Sequence, residues 1–349
     1  MADGCSENRI KRFPLVSVVT LNFNALKFVD SCLRSLLYSD YPRFEVIFVD
    51  NASTDGSAEI AAEIAKSNRK VKIVRNNLNH GYDEGNNIGA NHARGEIIVF
   101  LNLDTQVEPS WLSELVNNFL EYPDIGAAQP LIKELEYRHT IQSAGTFLNF
   151  YGIQTSKLKL VSEDAIKQLI LVGRPFDVFV ASGAALAIRK KIFCAAGGFD
   201  KDFFLDFDEM DICWRIWLCG FRVVCMPSSV IYHKGRQKVE DNAVFHPRKN
   251  QLAVIIKNYN LENLVRFLPV LVVIDSVRMA IACLKGHRKE GASYIQVLLW
   301  LFSNLSRLYK KRCFVQYHVR RIPDSELFRR NLLIPPRMNH FRKSPEILK

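Results

Sequence analysis

The feature that most constrains this fold is an alternation of short apolar segments with helical patterns over the first 105 residues. The apolar segments are rich in β-branched residues and predict parallel strands buried on both faces, over residues 15–21, 44–49, 71–74 and 96–101. The intervening segments space their apolar residues as helices do, over residues 28–38, 58–67 and 85–93. This alternation predicts an α/β fold with an open, mostly parallel sheet flanked by helices.

Polar side chains follow three of these strands at the point where each strand ends. They are Asn22 and Asn24, Asp50 and Asn51, and Asn102 and Asp104. In open α/β sheets, ligands bind beyond the carboxyl ends of the strands. We therefore expect these side chains to border one binding site.

Two carboxylates in these clusters have separate expected roles. Asp50 directly follows an apolar strand, where a carboxylate can accept hydrogen bonds from a base or a ribose. Asp104 suits a divalent metal that neutralises a diphosphate, although an Asp after a strand is also a common turn former. Ser53 and Asp55 are interpreted as turn and N-cap residues. The sequence contains no P-loop motif, and no GxGxxG follows the first strand, which argues against a dinucleotide site.

A second acidic cluster lies in the segment FFLDFDEMDICWR, with acids at Asp206, Asp208, Glu209 and Asp211. Asp208 and Asp211 are three residues apart, so they can share one helix face. Two interpretations stay open for the cluster. Acids at a helix N-terminus interact favourably with the helix dipole. Crowded carboxyls can also raise one pKa, which suits a general base that deprotonates an acceptor hydroxyl.

His233 in the segment VIYHKG follows a short predicted strand and lies downstream of the acidic cluster. A lone His is more often structural than a ligand. This one is nevertheless a candidate for completing a metal or phosphate site.

Taken in order, these motifs resemble family 2 glycosyltransferases, particularly the rhamnosyltransferase-like branch. The matching stretches are VSVVTLNFN, VDNASTDGS, NHGYDEGNNIGANHARGEIIVFLNLDT, VASGAALAIRKKIFCAAGGFD, the acidic helix and YHKG. They span residues 15–246. The resemblance implies a GT-A fold, inversion at the anomeric carbon, a nucleoside-diphosphate sugar as donor, and Mn²⁺ or Mg²⁺ as cofactor.

The resemblance assigns the donor and metal residues one by one. Asp50 matches the nucleotide-binding acid, and Asp104 matches the last acid of the DxD element, which holds the metal. The first acid of that element is Asn102 in this chain, so one carboxylate fewer is present. His233 resembles the late metal-binding His of the family. The other expected nucleotide-sugar-binding residues are Thr20, Asn22, Asn24, Asn51, Gly81 and Asn86.

The catalytic and acceptor residues follow from the same resemblance. The family's base is usually the Asp of a Glu-Asp pair, which is reversed here as Asp208-Glu209. An ungapped match puts Glu209 at the base position, with Asp208 second and Asp211 as a further member of the catalytic set. The acceptor side is expected to include Ser182, Gly183, Trp214 and Arg215, although Trp214 equally fits a core position.

The last third of the chain differs in charge from the rest. Residues 246–349 carry 20 Lys and Arg against 6 Asp and Glu, whereas the remainder carries 27 against 30. Apolar runs interleave with these basic residues, a pattern typical of the membrane interface. The stretch 264–284 is a poor spanning candidate because Arg266, Asp275 and Arg278 interrupt it. A helical subdomain that packs on the catalytic domain or forms a homodimer is the alternative.

The predicted organisation is an N-terminal tail (1–14), a GT-A catalytic domain (15–245) and a basic helical C-terminal region (246–349). The catalytic domain comprises a nucleotide-sugar half (15–105) and an acceptor half (106–245). The N-terminus lacks a secretory pattern, and the eight cysteines form no CxxC pair, which favours a cytoplasmic protein. We expect it to lie peripherally on the inner face of the cell membrane.

The predicted activity is hexosyl transfer to a hydroxyl of a glycan or lipid-linked glycan, with no nucleic-acid partner. A sugar nucleotidyltransferase is an alternative, but its Gly-rich, basic signature is missing after Leu21. A non-catalytic glycan- or nucleic-acid-binding protein would explain the basic tail but not the paired acids.

Overall fold

A computed structural model describes residues 13–156, 168, 171–204, 206–235 and 244–335. Of the predicted N-terminal tail, residues 1–12 lie outside the described residues, as do residues 336–349 of the C-terminal region.

The first 105 residues form the parallel half of the sheet. Its strands are β1 (Val16–Asn22), β2 (Phe44–Asp50), β3 (Val71–Arg75) and β4 (Ile97–Leu101), arranged in the order β4-β1-β2-β3. Its helices are α1 (Leu26–Leu37), α2 (Ser57–Ser67) and α3 (Gly81–His92). Every predicted element is present, and the largest difference is that α3 begins at Gly81, four residues before the predicted start.

Alternate strand residues face opposite layers. Val19 of β1 and Phe100 of β4 belong to one buried cluster, and Val18 and Val99 belong to the other. Successive strand side chains point to opposite faces, so strands buried on both sides read as continuous apolar runs.

The second half extends the same sheet with mixed pairing. Its elements are β5 (Thr105–Val107), α4 (Trp111–Glu121), β6 (Ile125–Glu134), β7 (Ile141–Ser143), β8 (Thr146–Asn149), β9 (Gln154–Ser156), β10 (Phe176–Asp177), β11 (Ala185–Arg189), α5 (Lys190–Ala195), α6 (Asp208–Leu218) and β12 (Arg222–His233). The main sheet runs β10-β12-β6-β11-β4-β1-β2-β3. Strand β11 is antiparallel to both β4 and β6, so the expectation of a mostly parallel sheet holds only for the first half.

The C-terminal region is helical, as predicted. It contains α7 (Phe245–Asn258), α8 (Leu261–Leu284), α9 (Arg288–Ser303), α10 (Leu305–Cys313), a π-helical turn (Phe314–Val319), α11 (Asp324–Arg329) and β13 (Leu333–Ile334). Every α7 residue from Arg248 to Asn258 is buried, and its apolar residues join the core cluster of the catalytic half. Strand β13 pairs with β8. The predicted boundary at 245/246 therefore does not separate two cores.

Among the described residues, helix α8 is long and apolar enough to cross a membrane by length and composition alone, a test that core helices of soluble proteins also pass. Arg266, Asp275 and Arg278 interrupt its apolar sequence. Asp275 is turned inwards and paired with Arg248 of α7, with 2.7 Å between Nε and Oδ2, whereas Arg266 is exposed.

Candidate functional site

The ends of β1 and β2 form the first part of the site. Asn22 and Asp50 stand opposite each other in the parallel register, and the Asn22 amide donates to Asp50 Oδ1 at 2.8 Å. The same amide also contacts the hydroxyls of Ser53 and Ser57. The buried Thr20 hydroxyl has no hydrogen-bond partner among the described residues. Both predicted strand-end clusters thus converge, with Asp50 held in place by its neighbour.

Asn51 connects the end of β2 to the start of α3. Its amide donates to the Gly81 carbonyl at 3.0 Å, and its Oδ1 accepts from Asn76 at 2.7 Å. Gly81 has φ +77°, and a Cβ there would lie 2.5 Å from the Phe204 ring. A glycine is required at this point because a side chain would be strained and would clash.

Asn24 and Asn86 were both predicted to bind the donor, and the structure gives them different environments. Asn24 adopts φ +52° at the rim, and its Oδ1 accepts from the Thr54 amide at 2.9 Å. Asn86 is buried in α3, where its amide donates to the Tyr82 carbonyl at 3.0 Å. Asn86 therefore supports the helix from within, whereas Asn24 borders open space.

An open cleft of about 520 Å³ lies over these strand ends. Its walls come from β1, the loop after β2, the start of α3, the segment after β4 and the loop before α6. The lining residues are Leu21, Phe23, Asn24, Ala25, Phe28, Asn51, Asn79, Gly81, Tyr82, Asn102, Leu103, Asp104 and Phe204. Five of the predicted donor-site residues, Asn24, Asn51, Gly81, Asn102 and Asp104, therefore share one cavity.

Asp104 and His233 meet at the edge of this cleft. Strand β12 is antiparallel to β5, with His233 opposite Thr105, and this brings His233 Nε2 to 3.2 Å from Asp104 Oδ1. The other ring nitrogen, Nδ1, lies 2.7 Å from Gln142 Oε1, which fixes the orientation of the ring. Gln142 was not identified from sequence, because its role depends on the pairing of β7 with β6.

The donor set of this pair fits a divalent cation. A carboxylate oxygen and an imidazole nitrogen are accepted ligands of Mn²⁺, and the second imidazole nitrogen has the supporting contact usual for metal-binding His. Within the part of the chain that is described, no group of three or more His, Cys, Asp or Glu residues is placed to hold a metal. A cation held by Asp104 and His233 would therefore need phosphate oxygens or water as its remaining ligands.

The acidic pair lies at the N-terminus of α6. Asp208 is buried, and this burial, together with the neighbouring carboxyls of Glu209 and Asp83, raises the pKa of Asp208 well above its ordinary value. A hydrogen bond to Glu209 acts in the same direction. Glu209 is only partly buried. The two carboxyls therefore differ: the environment of Asp208 favours its neutral form, and Glu209 is the more exposed member of the pair.

Tyr82 and the 182–183 turn connect the acidic pair to the cleft. The Tyr82 hydroxyl donates to the Gly183 carbonyl at 3.0 Å. A Cβ on Gly183 would lie 3.5 Å from that hydroxyl and 3.8 Å from Glu209 Cδ. Ser182 is held by its amide, which donates to Gln129 at 2.8 Å. Because Tyr82 also lines the cleft, it connects the cavity to the turn at Gly183, against which Glu209 lies.

Three residues assigned to the catalytic and acceptor sets lie in the interior instead. Asp211 is buried and paired with Arg215 at 2.6 Å and Lys257 at 3.0 Å, and these cations hold its pKa below the ordinary value despite burial. Arg215 also donates to the carbonyls of Ala196 and Gly198. Trp214 is fully buried. We correct the expectation accordingly: these side chains fix α6 from behind and present no surface to an acceptor.

Two residues near the acidic pair were missed by sequence reasoning. Tyr82 contacts both the cleft and Gly183, and Asp83 is buried with neither carboxylate oxygen hydrogen-bonded to a described residue. Both lie in the segment between the predicted residues Gly81 and Asn86. The sequence pattern predicted the helix only from residue 85, whereas α3 begins at Gly81 and has this segment on its first turn.

Comparison with known proteins identifies the family of this chain. The sequence profile of the family described as "Glycosyl transferase family 2" matches residues 17–193. O-antigen biosynthesis protein RfbC of Myxococcus xanthus is 28% identical over 242 residues, which are 66% of this chain and 18% of that protein. The uncharacterised protein y4gI of Sinorhizobium fredii is 28% identical over 63% of this chain and 24% of its own length. The chain thus spans less than a quarter of either relative.

Solved structures share the fold at low sequence identity. GalNAc-T7, solved with UDP, GalNAc and Mn²⁺, has a TM-score of 0.59 at 19% identity, covering 70% of this chain and 49% of that chain. TarS 1–349 of S. aureus in complex with UDP-GlcNAc has a TM-score of 0.53 at 18% identity, covering 73% and 71%. The predicted GT-A fold is confirmed by these likenesses.

Proposed function

This chain belongs to glycosyl transferase family 2, and from that premise we propose that it is an inverting glycosyltransferase of the rhamnosyltransferase-like branch. It would transfer a hexosyl group from a nucleoside-diphosphate sugar to a hydroxyl acceptor. The observation that carries the proposal is the continuity of one cleft, from the Asp104–His233 pair to Tyr82 and the adjoining Asp208–Glu209 pair.

The nucleoside is held at the strand ends. Asp50 is fixed by Asn22 and lies where a carboxylate can accept from a ribose or base. Asn51 and Gly81 form the adjoining wall, and the missing side chain at Gly81 keeps the backbone close to the cavity. The Thr20 hydroxyl lies on the same strand as Asn22.

Asp104 and His233 would hold Mn²⁺ or Mg²⁺, which when bound neutralises charge on the leaving diphosphate. The Gln142 contact keeps the His233 ring aimed at Asp104. Asn102, in place of a second carboxylate, leaves this end of the cleft less negative, which favours an anionic donor.

Glu209 is the general base. It takes the proton of the acceptor hydroxyl while the acceptor oxygen bonds to the anomeric carbon and the bond to the diphosphate oxygen breaks on the opposite face. The raised pKa of Asp208 favours its neutral form, so in this proposal Asp208 orients Glu209 through their hydrogen bond. Ser182 and Gly183 form the neighbouring wall on the acceptor side.

The acceptor is a glycan or lipid-linked glycan, and the protein works at the inner face of the cell membrane from the cytoplasm. This proposal rests on the basic surplus of residues 246–349 and on the apolar, membrane-length helix α8. The name of the relative RfbC, an O-antigen biosynthesis protein, supports a polysaccharide pathway.

The test separates donor binding from chemistry. Equilibrium binding of UDP, dTDP and GDP is measured with and without Mn²⁺, followed by turnover of the corresponding sugar nucleotides. Asp104→Asn should lose metal-dependent nucleotide binding. Glu209→Gln should keep that binding and lose transfer, because a base acts on the acceptor.

Glu59→Gln, at an exposed acid on α2, is the matched control and should behave as wild type. Asp208→Asn keeps a neutral donor beside Glu209 and should retain most activity. A dead Asp208→Asn alongside an active Glu209→Gln would reverse the two roles. Failure of every nucleotide to bind in the presence of Mn²⁺ or Mg²⁺ would contradict the proposed donor class.

A further inference from the structure

Helix α8 is apolar on its outer side as well as on the side that buries Phe267 and Leu271. Its exposed apolar residues recur at helical spacing: Leu261, Val265, Val270, Val273, Val277, Ile281 and Leu284. Val273 is 62% exposed, and Leu284 is 87% exposed. None of the exposed residues between 269 and 284 is charged. A surface helix in water normally turns charged residues outwards. An exposed apolar face of this length is therefore unusual for a helix that contacts only water.

Two polar residues of α8, Asn263 and Asp275, lie on its buried side, whereas Glu262 and Arg266 are exposed near its start. Asp275 pairs with Arg248, and Asn263 donates to Asp324 Oδ2 at 3.0 Å. These contacts fix the rotation of α8 about its axis, with the charged group inside and the valines outside. Among the described residues, the apolar face is therefore an outer surface that no other segment covers.

Helix α9 continues the pattern after a short turn. It packs along α8 and buries Tyr294, Val297 and Leu301, and it exposes Ile295, Leu299 and Phe302 on its other side. Two neighbouring helices thus each present an apolar outer face. We call these two outer faces together the α8–α9 face.

The turn that joins the two helices is cationic. Lys285, His287, Arg288 and Lys289 are consecutive apart from Gly286, and all are exposed. A stable contact between two protein copies disfavours charge at its centre, and a spanning hairpin would have to carry these cations across the bilayer. Apolar faces beside exposed cations instead match an anionic bilayer surface. The apolar side chains would contact the lipid acyl chains, and the cationic turn would lie among the lipid headgroups.

We propose that the α8–α9 face is a membrane-docking surface that lies in the plane of an anionic bilayer, with the 285–289 turn among the headgroups. This docking surface would account for the proposed location at the inner face of the membrane, and its biological role depends on that proposed location. The physical claim stands on the exposed face alone. Contact is by insertion of side chains from one side of each helix, and neither helix crosses the bilayer.

The experiment uses the full chain and two kinds of vesicle, phosphatidylcholine with and without phosphatidylglycerol, in a flotation assay. Wild type should float with the anionic vesicles. Val273→Glu/Val277→Glu should abolish flotation, because two charges would enter the apolar layer. Lys285→Glu/Lys289→Glu should weaken binding to the anionic vesicles by about tenfold or more and leave binding to neutral vesicles little changed.

Leu120→Glu is the matched control, since Leu120 is an exposed apolar residue on α4, away from this face. It should float as wild type does. If the double valine variant unfolds, Leu284→Glu replaces it, because that side chain is almost fully solvated and its substitution should spare the fold.

Three results would overturn the proposal. The first is a wild-type chain that stays soluble with both vesicles, and the second is a valine variant that floats as well as wild type. The third is a lipid-free dimer, seen by sedimentation, that Val273→Glu/Val277→Glu dissociates, which would assign the face to a second copy. Nucleotide binding measured on the same samples separates failure of docking from failure of the proposed activity.

Discussion

Replacing Asp83 by Asn should remove a pH dependence from the stability of this protein. Asp83 is fully buried on α3, and neither of its oxygens has a hydrogen-bond partner among the described residues. The charged groups that act on it come from three other elements: Asp200 before α6, Glu209 and Asp211 of α6, and Lys257 of α7. Burial, followed by the acids, raises the pKa of Asp83 from 3.8 to about 8.

The direction follows from proton binding. Between the unfolded pKa of 3.8 and the folded pKa of about 8, the native state holds one proton that the unfolded state has released. Stability contributed by this group is therefore complete below the unfolded pKa and is lost as the pH rises towards the folded pKa. One proton corresponds to about 1.4 kcal/mol per pH unit, or about 3 kcal/mol over two units.

The assay is urea unfolding of wild type and Asp83→Asn at intervals from about pH 5 to about pH 7. Asn is close to isosteric with a protonated Asp and cannot ionise. The difference in the free energy of unfolding, variant minus wild type, should increase by about 3 kcal/mol from the lower to the higher pH of this range. Asp30→Asn, at an exposed acid paired with Arg34, is the control and should differ little from wild type at any pH.

A difference between wild type and Asp83→Asn that stays constant with pH would refute the reasoning. It would mean that Asp83 releases no proton on unfolding and is therefore ionised in the native state. A buried carboxylate without hydrogen bonds is expected to be unstable, so an undescribed cation would then have to lie against it.

Two further predictions concern stability. Lys257→Met should lower the free energy of unfolding by about 3 kcal/mol, because it removes one of the two cations that pair with each of the buried acids Asp200 and Asp211, whereas Lys66→Met, at an exposed pair, should lower it by less than about 0.5 kcal/mol. Urea unfolding measures both, and equal losses would contradict the role of burial. Gly81→Ala should destabilise more than Gly56→Ala, since both have positive φ but only Gly81 has a neighbour, the Phe204 ring, within 4 Å of the added Cβ. Comparable losses in the free energy of unfolding for the two variants would show that the Phe204 ring moves away from the added Cβ at little cost.

The parallel half of the fold was predictable from local patterns. Strands β1, β2 and β4 are buried on both faces, so their sequences are continuous apolar runs whose ends are marked by Asn22, Asp50 and Asn102. The polar residue after each run identified the ligand edge because parallel strands end on the same side. Helix α1 was equally clear, with Val29, Cys32, Leu33 and Leu36 all buried at the predicted spacing.

The acceptor half was less predictable because its contacts are remote in sequence. Nothing near Asp211 indicates that Lys257, 46 residues away, would neutralise it. Its spacing from Asp208 suggested a shared face, yet Asp208 lies beside Glu209 while Asp211 faces Arg215 and Asn258. The acids at the start of α6 therefore lie in two different environments. Tertiary contacts distinguish these environments, and the local sequence does not.

The proposed docking surface and the proposed base are joined by a chain of buried charges. Asp275 of α8 pairs with Arg248 at the start of α7, and Lys257 at the end of α7 pairs with Asp211 of α6. Glu209 is the second residue of that same α6. Removing one member of a buried pair leaves an unpaired charge and is strongly destabilising, so neither α8 nor α6 can move independently without breaking a link. When the outer residues of α8 dock on the membrane, these ion pairs would hold α6, and with it the proposed base Glu209, in a fixed orientation relative to α8.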